Sequence, residues 1–296
     1  MKKRLLYWAK LLGFGLVAFL ILAYVAYFAA TIWYWTQPAP SHPEFPPDKN
    51  MDYRDVTIPS TNEVVLSGWY VPPQNGTVVI LLHGYDNNRL AMLNHAEFLV
   101  QSGYGVLLYD LRGHGESSSR FRSGGWADVD DVAAAVKFLA AEEGDRLDHL
   151  AILGFSTGGQ VALRAAAQIE QIEAVVADGP GIVNNQDAPE AANAYEVALR
   201  VGNVIVNKAT EWRTGVVEPT AVVELVGDIA PKPVLFIVAG GEQGPEYRIA
   251  SAYYQAANEP KAMWWIPEAH HGKGLFARPD EYPEKVLHFL NEAFLQ

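Results

Sequence analysis

The chain has no cysteine. That excludes disulfides, thiol nucleophiles and zinc sites built on thiolates. It contains no H-E-x-x-H pair and no glycine-rich phosphate-binding loop, so nothing in it calls for a metal or a cofactor. Basic residues are scarce: 22 Lys and Arg face 34 Asp and Glu, for a formal charge of −12. Four of those bases, Lys2, Lys3, Arg4 and Lys10, come at the start, and no acidic residue precedes Glu44. The remainder therefore sets 18 bases against 34 acids. Such a surface repels phosphate backbones, and no basic stripe interrupts it, which argues against a nucleic-acid partner.

What the chain does have is one long apolar run. From Leu11 to Trp35, LLGFGLVAFLILAYVAYFAATIWYW carries no charge over 25 residues, about 37 Å as a helix. This exceeds a hydrocarbon core of roughly 30 Å, so a tilted span fits. Tyr7 and Trp8 at one end and Trp33, Tyr34 and Trp35 at the other are placed as interfacial anchors. A cleaved signal peptide is the rival, but its apolar region should be shorter, and no A-x-A step appears in the run. The reading is an uncleaved membrane anchor over 1–36, with its basic end in the cytoplasm and all that follows outside.

The segment QPAPSHPEFPPD, with five prolines in twelve residues, reads as an extended, semi-rigid tether within a linker over 37–51. A single domain then occupies 52–296, a length sufficient for one sizeable core. Short apolar runs alternate with helical periods. Strands are expected at Tyr53–Ile58, Val64–Val71, Thr77–Leu82, Val106–Tyr109, Leu150–Leu153, Ala174–Ala177, Val234–Val238 and Ala262–Ile266. Helices are expected at Leu90–Gln101, Val129–Ala141, Gly158–Ala167, Glu246–Ala257 and Glu281–Phe294. Fully apolar strands alternating with helices imply an α/β fold: a mostly parallel sheet covered on both faces. The rhythm breaks between about 181 and 230, where a cap inserted over one end of the sheet is expected.

The stretch ILGFSTGG ends one strand and opens a helix around Ser156. A chain turning that abruptly needs small residues on either side, here Gly154 and Gly158, and holds the serine hydroxyl up at the carboxyl end of the sheet. The N–H of Thr157 then points to where an oxyanion would form. LLHGY, after an earlier strand, sits where a second donor is expected, the N–H of Tyr85. His83 reads as a structural histidine, and Asp110, Arg112 and His114 as a polar turn network. A serine needs a base oriented by a carboxylate. Of eight histidines, those in IPEAHHGKG fall on a loop after the last strand. His271, before Gly272, is preferred, with His270 as fallback. The acid should follow the preceding strand, and Glu242 is taken. Glu246 has a sufficient reading as a first-turn residue complementing a helix dipole.

The order Ser, Glu, His, with H-G-Y, D-x-R-G-H-G-E-S, G-F-S-T-G-G and P-E-A-H-H-G, resembles the α/β-hydrolase superfamily. Within it, the chain is similar to bacterial membrane-anchored serine hydrolases of the monoacylglycerol-lipase-like and acyl-esterase groups, from about Asp52 onward. The resemblance implies an α/β-hydrolase fold with Ser156 as nucleophile, His271 as base and Glu242 as acid, and Tyr85 and Thr157 as oxyanion donors. Glu in place of the more usual Asp is one departure, and the 181–230 region is another. The implied reaction is hydrolysis of a small-molecule or lipidic carboxylic ester through an acyl-enzyme. Thioester, amide or peptide cleavage, and a non-catalytic binding role, are the alternatives.

Overall fold

The structure, a computed structural model, describes residues 2–46, 49, 51–191 and 193–294. Helix α1 spans Lys2–Thr36. Eight strands form the main sheet: β1 Arg54–Pro59, β2 Val65–Val71, β3 Thr77–Leu82, β4 Gly105–Tyr109, β5 His149–Phe155, β6 Ala174–Asp178, β7 Val234–Ala239 and β8 Lys261–Ile266. The helices that follow α1 are α2 Leu93–Gln101, α3 Asp128–Glu143, α4 Thr157–Gln168, α5 Ala194–Thr214, α6 Val222–Leu225, α7 Pro245–Ala256, α8 Gly274–Ala277 and α9 Glu281–Phe294.

The strand order is β8-β7-β6-β5-β3-β4-β2-β1. Only β1–β2 and β2–β4 pair antiparallel; all other neighbours are parallel. Parallel strands buried on both faces must be apolar throughout, and every residue of β3, β4, β6 and β7 is buried. Alternation then sorts the side chains. Val78, Ile80 and Leu82 join one core layer, with α3, α4 and α7, while Val79 and Leu81 join the other, with α2 and α9. Truncating one of them, Ile80→Ala for example, would cost about 2–5 kcal/mol.

The chain leaves β3 toward β4 on one side and reaches β5 on the other. Consecutive connections that diverge leave a crevice at the carboxyl ends of the strands, where α/β sheets bind ligands. Leu82 pairs with Gly154 across β3 and β5, so the loops after both strands open side by side into that crevice.

The proline-rich stretch is extended and lies along the domain. Ala39 and Pro40 pair with His114 and Gly115, Phe45 stacks on Tyr53 at 3.9 Å, and Lys49 holds Asn94 at 3.0 Å and Glu97 at 2.5 Å. Pro47, Asp48 and Asn50 lie outside the described residues. In the 181–230 region, where the strand–helix rhythm breaks, the 21-residue α5 occupies the centre.

Candidate active site

Ser156 sits between β5 and α4 with φ 55 and ψ −114, a conformation that non-glycine residues avoid. The neighbouring packing enforces it. A Cβ at Gly154 would lie 2.1 Å from the Gly158 carbonyl, and one at Gly158 would lie 2.3 Å from that of Leu82. The Ser156 N–H donates to the Asp178 carbonyl (2.9 Å), and its own carbonyl accepts from Gly181 N–H (3.0 Å). The hydroxyl is thus the free part of the residue.

The loop after β8 carries His271. Its Nε2 is 3.0 Å from Ser156 Oγ, and its Nδ1 is 2.6 Å from Oε2 of Glu246. A carboxylate accepts, so the proton lies on Nδ1, and Nε2 keeps a lone pair for the serine hydroxyl. The ring packs on Phe155 at 4.8 Å between centroids. Gly272, with φ 66, brings its Cα so near Phe155 that a Cβ would stand 2.4 Å from the ring. The hydrogen bond donated to Glu246 pushes the His271 pKa above its ordinary value, against the lowering effect of burial.

Glu246, in the first turn of α7, has both oxygens engaged, since Oε1 accepts from the Ala239 N–H at 2.6 Å. Glu242 is not at the site: it is exposed, beside Pro189, Tyr247 and Arg248. After β7 the chain makes a tight turn, with Gly240 at φ 84 and the Gly244 N–H on the Gly241 carbonyl at 2.7 Å. The turn throws Glu242 outward and starts the helix at Pro245. The first-turn carboxylate then folds back onto the strand end. Pro245 at the first helical position is the sequence signal that sets Glu246 in a first turn. His270 is exposed, and its carbonyl accepts from the Lys273 N–H.

Gly84 packs against Phe155 and Ser156, where a Cβ would stand 2.9 and 3.1 Å from them. This brings the chain at Tyr85 into the wall of the groove that holds Ser156, and among the described residues the Tyr85 N–H has no acceptor. Thr157 opens α4, so its N–H has no intrahelical partner. His83 is fully buried, donating through Nδ1 to the Gly84 carbonyl (2.7 Å) and accepting at Nε2 from Leu111 N–H (2.9 Å). Burial pushes its pKa down to about 3. Asp110 accepts from the Arg89 guanidinium at 2.8 Å, and Arg112 donates to both oxygens of Asp131 at 2.7 Å.

Sequence reasoning missed Asp178. It ends β6 fully buried, accepts from Tyr282 Oη at 2.8 Å, and is pushed up to about 7 by burial and then by the charge of Glu246. Its place in ADGPG reads as an ordinary turn. A groove of about 480 Å³ opens over Ser156 and His271, walled by Leu90, Met92, Leu275 and Phe276. Among the described residues no cluster of potential ligands could hold a metal ion.

A mostly parallel sheet with a strained serine at one strand-to-helix turn and a late histidine loop over it defines the α/β-hydrolase class. Residues 73–271 match the family described as Serine aminopeptidase, S33, and the chain belongs to it. It is a hydrolase of the α/β-hydrolase superfamily. The fold is similar to that of the esterase Pf2001 of Pyrococcus furiosus, with a TM-score of 0.70 and 27% identity over 86% of this chain and 97% of that one. Among sequences, it is 25% identical to protein YqkD of Bacillus subtilis over 84% of this chain and 83% of that protein. It is 28% identical over 47% of its length to a Saccharomyces cerevisiae protein described as a membrane protein, covering 49% of that protein.

Proposed function

We propose that the protein hydrolyses a carboxylic ester through an acyl-enzyme, with Ser156 as nucleophile, His271 as base and Glu246 as the acid that orients it. One observation carries this: the unbroken chain from Glu246 Oε2 through the imidazole to Ser156 Oγ, at 2.6 and 3.0 Å. Oγ attacks the carbonyl carbon while its proton passes to Nε2. Glu246 stabilises the imidazolium that develops. The N–H groups of Tyr85 and Thr157 receive the oxyanion. Collapse returns the proton to the leaving alcohol, and water, activated by the same histidine, releases the acid.

The esterase likeness supports an ester over a peptide, and so does the groove. An aminopeptidase needs a carboxylate to hold a cationic amino terminus. Here Glu246 is already doubly engaged, the lining carboxyl Asp178 is buried on Tyr282, and the lining charge on offer is the cation of Lys273. A fluorophosphonate probe should label the wild type and fail on Ser156→Ala. Equal labelling of both would remove Ser156 from the chemistry.

The second part of the reading is topological. Within the helix over Leu6–Thr36 an 18-residue window has a mean hydropathy of 2.3 and none of it is buried, and Lys2, Lys3, Arg4 and Lys10 all come before the uncharged run that starts at Leu11. The proposal is a single span with the N-terminus in the cytoplasm and the hydrolase domain beyond the membrane. Protease added to intact spheroplasts should degrade the domain. Protection until the membrane is broken would reverse the orientation.

A further inference from the structure

Helix α5 is amphipathic the wrong way round for a water-soluble surface. Residues 194, 197, 198, 201, 204, 205, 208 and 212 recur at three- and four-residue steps and share one face. Apart from Lys208 they are all apolar. That face is the outward one: Val197 is 53% exposed, Val201 60%, Val204 51%, Ile205 46% and Trp212 87%. The opposite side meets the domain. Thr210 is buried, Asn207 donates to Glu218 at 2.6 Å, and Arg200 donates to the Ala188 carbonyl at 2.6 Å. Lys208 pairs with Glu211 of its own helix at 2.8 Å, leaving its aliphatic stem along the apolar face.

The flank of this face is occupied by α1. A Cβ on Gly202 would lie 3.7 Å from the Phe28 ring, so the glycine lets the two helices close. Arg213 stacks on Trp33 at 4.3 Å and donates to Thr36 Oγ1 at 2.6 Å. The apolar face of α5 is therefore continuous with the exposed apolar surface of α1 near its carboxyl end, where Tyr24, Val25 and Tyr27 are also exposed. Trp212 lies near the level of Trp33, the placement of interfacial tryptophans. Helices that pair within a membrane favour small residues at their contact, and this face presents β-branched and aromatic ones.

We propose that α5 is seated in the interface layer of the phospholipid bilayer that α1 crosses, as a second membrane contact held in the domain itself. The inference rests on the reading of α1 as a span. Two contacts fix the rotation of the domain about α1, so that the crevice is presented to the bilayer in one orientation. An interfacial helix with this pattern binds by burying its apolar face at the headgroup boundary.

The absence of cysteine permits a direct test in the full chain. Single cysteines at Val201, Ile205 and Trp212, at Leu22 in α1 and at Gln101 on the far side are labelled with bimane. Each variant, checked for native circular dichroism, is reconstituted into phosphatidylcholine vesicles with brominated acyl chains. The expected result is strong quenching at Leu22, Val201, Ile205 and Trp212, and none at Gln101. Quenching at Leu22 with all three α5 labels at the Gln101 level overturns the seat and leaves the span intact. No quenching at Leu22 sinks the span and the seat together. Oxidative cross-linking of Val201→Cys between copies, in place of quenching, would make a second copy the occupant and also overturn the proposal.

Discussion

Gly179 lies against Glu246 so closely that a Cβ would stand 2.9 Å from its Oε1 and 3.1 Å from Nδ1 of His271. The glycine follows β6 with φ 52, next to Asp178, and its N–H donates to the Ile237 carbonyl of β7 at 2.8 Å. Gly179→Ala should push the carboxylate and the imidazole apart. Misplacement by an ångström costs roughly 10²-fold in rate, so kcat is expected to fall by at least about tenfold. Backbone strain alone would cost on the order of 1–2 kcal/mol. Gly144→Ala separates the two effects, since Gly144 has φ 54 and nothing within 4 Å of its Cβ position. It should lose stability without losing kcat. Equal kcat in both variants would show that Gly179 does not guard the pair.

The acid itself is tested by two neighbouring glutamates. Glu246→Gln keeps the shape but no longer fixes the imidazole tautomer, and should cost about two to four orders of magnitude in kcat. Glu242→Gln, on the exposed turn, should stay within about twofold of wild type, as surface changes do. Steady-state kinetics on a short p-nitrophenyl ester decide it. The reverse ranking would return the role to Glu242.

That pair also shows what could be read from the residues alone. Strands such as Thr77–Leu82 were legible because burial on both faces demands an unbroken apolar run. The serine turn was legible because Gly154 and Gly158 have no other reason to bracket it. The acid was not, because counting residues from a strand end does not say which way a Gly-Gly turn throws a side chain. Asp178 was hidden for a different reason: only the tertiary fold brings it beside His271 and Tyr282. Helix α5 was obscured by its β-branched content, which lowers helix propensity, and by an apolar face that points away from the core. Phe45 was the one apolar cue that the proline-rich stretch lies on the domain.

The pH dependence follows from His271. As the proposed base, His271 works only when neutral, so activity rises with pH through its pKa. Glu246 raises that pKa, so the acidic limb of kcat/KM should lie above the ordinary imidazole value of about 6.5. His83 and His114, lowered by burial to about 3 and about 4, stay neutral across that limb and contribute nothing to it. In Glu246→Gln the residual activity should show the limb displaced to lower pH. Asp178, itself pushed up to about 7, gains its charge across the same limb and then raises His271 by less than the Glu246 bond does, so Asp178→Asn should move the limb the same way by less. A limb unmoved in Glu246→Gln would mean that another group titrates.

The end of α1 is tied to the loop that carries Tyr85 through the buried guanidinium of Arg122. Arg122 donates through Nε to the Gln37 carbonyl at 2.6 Å and through Nη2 to that of Tyr34 at 2.8 Å. Its Nη1 holds the Asp86 carboxylate, and its plane covers the Tyr85 ring at 4.4 Å. Tyr34 Oη donates to the other Asp86 oxygen at 2.7 Å, and Tyr85 Oη donates to the Trp35 carbonyl. The N–H proposed to receive the oxyanion therefore takes its position partly from α1. Loss of one such donor costs about 10²–10³ in kcat; loosening it should cost less. Arg122→Ala is expected to lower kcat by roughly tenfold with KM changed little, and Tyr34→Phe should do the same more weakly. Arg122→Lys keeps the charge but not the fork, and should recover only part of the loss. Kinetics taken well below each variant's Tm give the answer. A lowered Tm with wild-type kcat would reduce the clasp to a structural tie and leave α1 uncoupled from the chemistry.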